Sequence, residues 1–400
     1  MLEKSPPAAL PHPARTILVL ALAPAIGLGI GRFAYALVLP DMRDSLGWTY
    51  AAAGFMNTMN AAGYLAGALG AARFARRVGL FGAAWIGTLA CVISLALCAV
   101  SANFALLSFA RLLAGAGAAV SFVGGGALGA VIAQSQPARA SLLLGLFYTG
   151  PALGIVLSGL AAPFLLQGFG PGSWWIVWAA LAAMSALLAV VLRLNPVASP
   201  QPAANAHAIR IAILPMLVYL AGYFCFGAGY IAYMTFMIAY VRDAGGGALA
   251  QSAFWCLIGA AAFASPWIWR GLLARGASGM STAILIGMTM IGAALPLIWH
   301  TPLVLALSAL VFGNTFFAVV SATTAFVRFN YPTDAWPNAI AVVTIAFSLG
   351  QTLGPMVTGA ISDMVGSLGS ALTVSALTLA IGAIACAFQR RLTPAHDRLS

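Results

Sequence analysis

Twelve long apolar runs, separated by short polar or charged segments, account for most of the chain. They cover residues 16–39, 50–72, 80–100, 104–133, 141–167, 174–194, 211–241, 249–270, 280–299, 303–328, 337–361 and 369–389. A helix needs about 20 apolar residues to cross a bilayer, and each run is about that long or longer. The pattern therefore predicts an all-α membrane protein with twelve transmembrane helices.

The first run, residues 16–39, also has some features of a secretory signal peptide. Arg15 precedes an apolar core, and the segment from Ala21 to Ala23 resembles a cleavage site. Pro24 at the cut and the hydrophobicity beyond it favour a transmembrane helix. We expect this helix to end at Pro40.

Composition excludes a soluble globular domain, because 62% of the residues are hydrophobic and only 6% are charged, against roughly a quarter charged in soluble domains. The net charge of +11 does not indicate nucleic-acid binding, since the basic residues are dispersed between apolar runs. The cysteines lie inside apolar runs without metal-ligand spacing. We expect no metal and no cofactor, and as partners only the lipid bilayer and a small-molecule substrate, with the protein a monomer. The cysteines are Cys91, Cys98, Cys225, Cys256 and Cys386.

Only one internal segment has the composition of a linker, residues 195–210, and it falls between the sixth and seventh runs. It divides the chain into an amino-terminal tail (1–15), a six-helix bundle (16–194), the linker, a second six-helix bundle (211–389) and a carboxy-terminal tail (390–400).

Basic residues predict the orientation in the membrane, because they are enriched in cytoplasmic loops. With the amino terminus inside, fourteen basic residues are cytoplasmic and only Arg43 and Arg242 are outside. We therefore expect both tails and the linker in the cytoplasm. The fourteen are Lys4, Arg15, Arg73, Arg76, Arg77, Arg139, Arg193, Arg210, Arg270, Arg275, Arg328, Arg390, Arg391 and Arg398.

The two halves carry an internal repeat, a common way of building transporters. The segment GIGRFAY at 29–35 aligns with GAGYIAY at 227–233, and GPALGIVLSG from Gly150 aligns with GPMVTG from Gly354. The first and seventh helices thus correspond, as do the fifth and eleventh. The alignment pairs Arg32 with Tyr230, so we expect a central site that is charged on one side only.

Arg32 is the leading candidate for substrate binding. An arginine at membrane depth costs about 2.5–3.5 kcal/mol on insertion scales, so such residues normally face a bundle interior or a wet cavity. Arg111 lies within a run as well, and structural and substrate-binding roles are equally open for it. The runs contain no acid at mid-depth, which makes an anionic substrate the simplest partner for Arg32. The alternative is that Arg32 snorkels toward the membrane surface or bonds helix carbonyls.

Polar residues at comparable depth are candidate co-ligands of the substrate, although each is as compatible with packing. They are Tyr35, Asn57, Asn60, Tyr230, Tyr233 and Asn314, with Tyr148 and Gln351 deeper.

Several local motifs resemble those of the major facilitator superfamily. Arg111 to Ala119 (RLLAGAGAA) resembles its R-x-x-x-G-x-G-x-A motif, Gly150 to Gly154 (GPALG) resembles the G-P-x-x-G motif of exporters, and Phe74 to Gly79 (FARRVG) partly matches the loop motif L-a-D-R-x-G. Arg76 stands at the acidic position of that loop, which puts the usual cytoplasmic ionic latch in doubt. GRFAY, followed by Leu39-Pro40, is similar to bacterial YbfB/YjiJ-type members.

The resemblance implies twelve helices in two pseudo-symmetric six-helix bundles of the bacterial inner membrane. It also implies structural or gating roles at the motif positions and their repeat counterparts, which are Arg76, Arg77, Gly79, Gly115, Gly117, Gly150, Pro151, Gly154, Gly354 and Pro355.

Together these features predict a secondary active transporter that moves a small organic anion by alternating access. One alternative is an exporter of lipophilic or drug-like compounds, favoured by the G-P-x-x-G motif and an apolar cavity. The other is a membrane-embedded enzyme, which would need a nucleophile, a base or metal ligands that converge at depth. Since no His, Asp, Glu or Lys lies within the runs, we expect no enzymatic activity.

Overall fold

The computed structural model describes residues 12–134, 136, 139–198, 211–299, 301–332 and 335–392. Most of the predicted amino-terminal tail, most of the linker and residues 393–400 of the predicted carboxy-terminal tail lie outside the described residues.

The described ranges form helices and connecting turns, with no strand among them, and the predicted all-α architecture of twelve long helices is confirmed. Two of the helices have interruptions of regular α-helical geometry, α1 at Ala21 and from Ala25 to Ala34, and α5 at Thr149. The helices are α1 Pro13–Leu46, α2 Tyr50–Val78, α3 Leu80–Val100, α4 Phe104–Gln134, α5 Ala140–Tyr148 with Gly150–Phe169, α6 Trp174–Leu194, α7 Leu217–Asp243, α8 Ala248–Ile268, α9 Met280–Ile298, α10 Pro302–Asn330, α11 Trp336–Val365 and α12 Leu368–Phe388.

Eleven of these helices are long and apolar enough to cross a membrane by length and composition. The exception is α2, which carries three buried polar side chains, Asn57, Thr58 and Asn60. Each of them bonds a group on another helix. These side chains lower the hydropathy of α2 and join it to α7, α11 and α4.

α1 departs from the prediction at Pro40, where we expected it to end. The helix continues through Pro40 to Leu46 and ends at Gly47, whose φ of 65° is left-handed. A proline removes one backbone hydrogen bond without forcing a helix to stop, and a left-handed glycine is a common helix terminator. Residues Ala25–Phe33 form wider π-helical turns, a local irregularity that is frequent at functional sites.

The halves α1–α6 and α7–α12 meet mainly where α2 crosses α11, where α5 crosses α8, and between the later parts of α1 and α7. Close approach at the first crossing needs a small residue, because a Cβ on Gly54 would lie against the backbone of Pro355 and Met356. Large apolar side chains such as Leu187 and Leu303 are exposed on the outside of the bundle, as expected of a surface that faces lipid.

Candidate functional site

Arg32 lies in the π-helical part of α1 and is only 4% exposed. Its one side-chain hydrogen bond within the described residues runs from Nη2 to Oε1 of Gln351 in α11, over 2.6 Å. The guanidinium carbon lies 5.1 Å from the ring centroid of Tyr64 and 5.9 Å from that of Phe33. Among the described groups, the buried Nε of Arg32 has no hydrogen-bond partner.

Gln351 joins the two repeat-related positions of the central site. Its Oε1 accepts from Arg32, and its Nε2 donates to the hydroxyl oxygen of Tyr230. Arg32, Tyr64, Tyr230 and Gln351 each lie near the middle of their helices. The sequence repeat paired Arg32 with Tyr230, and in the structure the two residues share the amide of Gln351. We call these four residues the central site.

The carboxylates in the described part of the chain all lie at the ends of helices, away from the central site. Asp41 accepts from the backbone N–H groups of Gly172 and Trp174. Asp44 and Asp243 form the ion pairs found among the described residues, with Arg43 and Arg242. Among the described side chains, the cation of Arg32 therefore has a neutral amide as its one hydrogen-bond partner.

Arg111 of α4 is held by three acceptors. Its Nη1 donates to the carbonyl of Gly31 over 2.6 Å, and its Nη2 donates to the carbonyl of Arg32 over 3.2 Å and to Oδ1 of Asn57 over 3.1 Å. The guanidinium also lies 4.8 Å from the ring centroid of Tyr35. Its Nε, like that of Arg32, lacks a partner in the ranges described. Arg111 thus fixes the backbone that carries Arg32.

The different partners of the two buried arginines predict different costs of removal. Arg111→Gln leaves three buried acceptors without their donor, and each unmet group costs about 1–3 kcal/mol. Arg32→Gln removes a single hydrogen bond to an amide. We expect the Arg111 variant to unfold at a clearly lower temperature than the Arg32 variant, measured on both proteins purified in detergent. Equal or reversed melting temperatures would contradict this assignment.

Five of the remaining predicted co-ligands have hydrogen-bond partners within the protein, while Tyr148 is half exposed at the break in α5. Asn57 donates to Thr235 of α7, and Asn60 donates to the carbonyl of Arg111. The hydroxyl groups of Tyr35 and Tyr233 bond Ala53 and Ser308, respectively. Asn314 donates to the Ala261 carbonyl and accepts from the indole of Trp269. Asn57 is linked to the central site through Arg111, which donates to both Asn57 and the backbone carbonyl of Arg32.

Tyr64 is a site residue that sequence reasoning missed. The signal for it was weak, although it lies seven residues after Asn57 and four after Asn60 on α2 and therefore shares their helix face. Its ring packs against Arg32 and is only partly buried. No group of three or more His, Cys, Asp or Glu side chains that could hold a metal occurs in the part of the chain that the structure describes.

The glycines of the superfamily motifs lie at helix crossings. A Cβ on Gly154 would meet the backbone of Gly29, and one on Gly150 would meet the side chain of Pro24, so both pack α5 against α1. Gly115 packs against the backbone of α2, and Gly117 packs against Cys91 of α3. The G-P-x-x-G motif here brings α5 close to the helix that carries Arg32. Pro151 follows Gly150 in the first turn after the break in α5, and in the second half Gly354 packs against Ala228.

Arg76 and Arg77 lie exposed in the last turn of α2, which Gly79 ends with a φ of 79°. Arg77 also borders a cavity of about 330 Å³, together with Arg73 and Phe74. This end of the bundle, where α1 begins and α12 finishes, is called the tail face below.

The opposite end is held together by contacts between the halves, and we call it the latched face. Asp363, near the end of α11, accepts from the backbone N–H groups of Tyr50 and Ala51 at the start of α2, both over 2.8 Å. Thr49 accepts from the next N–H group, that of Ala52. The first N–H groups of a helix have no partner within the helix, so a residue of one half caps a helix of the other. Arg242 of α7 adds an ion pair to Asp44 of α1 over 2.9 Å.

Asp363→Asn should weaken the latched face. It removes the negative charge and one of the two accepted bonds, which together are worth about 1 kcal/mol at a helix amino terminus. That corresponds to a shift of about fivefold toward the form in which this face is open. Double electron–electron resonance between spin labels at Val100 and Leu249, in a background without native cysteines, would measure the population of this open form.

Asp41→Asn is the matched control for the latch variant. Asp41 also accepts from two backbone N–H groups near the start of a helix, α6, but donor and acceptor belong to the same half. It should lower stability without changing the distance between the labels. If the distance between the labels changed equally in both variants, a specific role for Asp363 would be excluded.

Two six-helix halves that meet around a central polar site define the fold of a major facilitator transporter, and solved structures agree. A bacterial homolog of the human lysosomal transporter Spinster, in an inward-facing and occupied conformation, is 14% identical with a TM-score of 0.72, over 97% of this chain and 100% of that chain. The same homolog, inward-facing and unoccupied, is 16% identical with a TM-score of 0.68, over 94% and 96%. The nucleoside transporter NupG is 14% identical with a TM-score of 0.72, over 94% and 99%.

At these identities the solved structures establish the fold alone. A family model described as "Uncharacterised MFS-type transporter YbfB" matches residues 24–387. The chain belongs to this family of multi-pass membrane transporters, as the sequence motifs predicted. It matches none of the curated proteins with which it was compared.

Proposed function

We propose that this secondary transporter carries a small organic anion, which binds to Arg32 at the central site. The observation that carries the proposal is the state of Arg32, a buried guanidinium that lies between the two halves and whose only side-chain hydrogen bond among the described residues goes to a neutral amide. A carboxylate would satisfy this cation through two parallel bonds, which an amide oxygen cannot do.

Gln351 is proposed to occupy the position of the anion when no substrate is bound. Its Oε1 is an sp² oxygen 2.6 Å from Nη2 of Arg32, the kind of group that a carboxylate oxygen would replace. Because Arg32 and Gln351 belong to different halves, an anion that displaces the amide would also break one contact that holds the halves together. Substrate binding would thereby be coupled to rocking of the bundles around the central site.

Arg111 is proposed to act as a positioning residue for Arg32. Its donors are taken by two carbonyls of α1 and by Asn57. These bonds hold the wide turns of α1 in place, so that the Arg32 side chain points between the halves.

The bacterial inner membrane is the proposed location, with both termini in the cytoplasm, on the strength of the distribution of basic residues. The tail face would then be cytoplasmic and the latched face would be periplasmic. The conformation described would be inward-facing, the state named for both structures of the Spinster homolog.

Export of lipophilic compounds is the competing proposal, and membrane-embedded catalysis is a more distant one. Export was favoured in part by the G-P-x-x-G motif. The glycines of this motif lie at the crossing of α5 and α1, so they have a packing role that does not depend on the substrate. An enzyme would need reactive groups beside the buried cation. The described side chains that contact Arg32 are the amide of Gln351 and the rings of Phe33 and Tyr64.

A panel of ligands tests the proposed function through thermal stabilisation, since ligand binding to the native state raises its stability. The panel should contain acetate, lactate, hexanoate, benzoate, inorganic phosphate, tetraphenylphosphonium and ethidium. We expect at least one carboxylate to raise the melting temperature of the wild type but not that of Arg32→Gln. Stabilisation by the lipophilic cations alone would favour the exporter.

A further inference from the structure

Aromatic rings are concentrated on the second-half side of the central site. α7 contributes Tyr223, Phe226 and Tyr230, whose spacings of three and four residues place them on one helix face. α11 contributes Phe347, and α10 contributes Phe316. We call these five rings the aromatic stack.

The rings of the stack lie nearly parallel. The planes of Tyr230 and Phe347 differ by 7° with centroids 5.6 Å apart, and those of Tyr223 and Phe347 differ by 15° at 4.9 Å. Phe316 continues the series from Tyr230 at 19° and 6.0 Å. Four of the five rings are at most 4% exposed, and Phe347 is the one that is partly exposed. A flat ligand could therefore extend the series at Phe347.

The stack is joined to the cation by hydrogen bonds. Tyr230, a member of the stack, accepts from Gln351, which in turn accepts from Arg32. On the side of the first half, Tyr64 and Phe33 pack around the Arg32 guanidinium, and Phe33 meets Phe316 edge-on at 6.1 Å. If the carboxylate of a ligand reached Arg32, the part of the ligand attached to that carboxylate would thus lie next to aromatic rings.

We propose that the anion is a planar aromatic monocarboxylate, whose carboxylate replaces Gln351 on Arg32 and whose ring packs on Phe347. The proposal rests on the proposed function, since it assumes that Arg32 binds the anion. A single negative charge is expected because, among the described residues, the buried guanidinium of Arg32 donates to one acceptor whereas that of Arg111 already serves three.

The proposal predicts a preference that simple hydrophobicity would reverse. Benzoate and cyclohexanecarboxylate have the same charge and the same number of carbon atoms, but the saturated ring is thicker and more hydrophobic. An ordinary apolar pocket would bind cyclohexanecarboxylate more tightly. Offset stacking on aromatic neighbours should instead favour benzoate by about threefold to tenfold.

The test is the apparent affinity of the purified full-length protein for these two compounds, obtained from thermal unfolding over a range of concentrations. Phe347→Leu should abolish the preference for benzoate, and because Phe347 is only partly buried the substitution should preserve the fold. Tyr230→Phe keeps the ring but removes the hydroxyl group. It should lower the affinity for both compounds and preserve the ratio of the two affinities. Phe263→Leu, in an exposed aromatic pair with Trp267, is the matched control and should leave both affinities unchanged.

Each outcome separates this proposal from the proposed function. Equal affinities, or tighter binding of cyclohexanecarboxylate, would overturn the aromatic proposal and leave anion transport in place. Binding of benzoate by Arg32→Gln at wild-type affinity would overturn the role of Arg32 as the anion site. If neither benzoate nor any carboxylate of the ligand panel stabilised the wild type, both proposals would fall.

Discussion

Arg32→Gln is expected to abolish anion binding in a protein that still folds. The substitution removes the only cation of the central site and, with it, the two parallel charge-assisted bonds to a carboxylate. Each such bond contributes about 1.5–3 kcal/mol, so the affinity should fall by at least about 100-fold. The fold should survive, because the removal of a charge from the middle of a membrane helix lowers the cost of burial.

Arg32→Lys should lie between the wild type and the glutamine variant. Lysine retains the charge, but its compact ammonium group cannot form the two parallel bonds of a guanidinium. Equilibrium binding of radiolabelled benzoate to the three purified proteins, with melting temperatures as a folding control, would establish the order. Wild-type affinity in the glutamine variant would return Arg32 to a structural role.

Gln351→Glu should produce a protein with an anion permanently built into the site. Glutamate has nearly the shape of glutamine and would place a carboxylate oxygen where Oε1 now lies 2.6 Å from Arg32. Since Arg32 is already buried, a counter-charge should raise the stability of the ligand-free protein by about 1–3 kcal/mol. Added carboxylates should no longer bind, because the cation is occupied and the new charge repels them.

Melting temperatures with and without benzoate measure both effects on the same sample. Gln134→Glu makes the same chemical change at an exposed position at the end of α4 and should leave both temperatures close to those of the wild type. A Gln351→Glu protein that benzoate stabilises as strongly as the wild type would show that Gln351 does not occupy the position of the anion.

Hydrophobic runs predicted the fold well, because a bilayer demands long apolar helices. The boundary at Pro40 was wrong, since a proline inside a packed helix costs one hydrogen bond and the surrounding contacts can offset it. The internal repeat was more informative than composition: it paired Arg32 with Tyr230, and both residues contact the same amide.

The hydrogen bonds of the site could not be predicted from one sequence. Gln351 was expected deeper than Arg32, and its contact with Arg32 depends on how α11 is positioned against α1, which no local pattern encodes. Both buried arginines were equally able to bond helix carbonyls. The structure assigns the carbonyls of Gly31 and Arg32 to Arg111, because α4 packs against the wide turns of α1. Tyr35 and Tyr233 likewise have partners that only tertiary packing determines.

Counterflow exchange in proteoliposomes tests most directly whether the protein transports an anion that binds to Arg32. Vesicles that contain wild-type protein and unlabelled benzoate should accumulate external radiolabelled benzoate transiently, above the level that diffusion gives in protein-free vesicles. Vesicles with Arg32→Gln at the same protein density should match the protein-free control. Equal accumulation by the wild type and by Arg32→Gln would contradict anion transport at the central site.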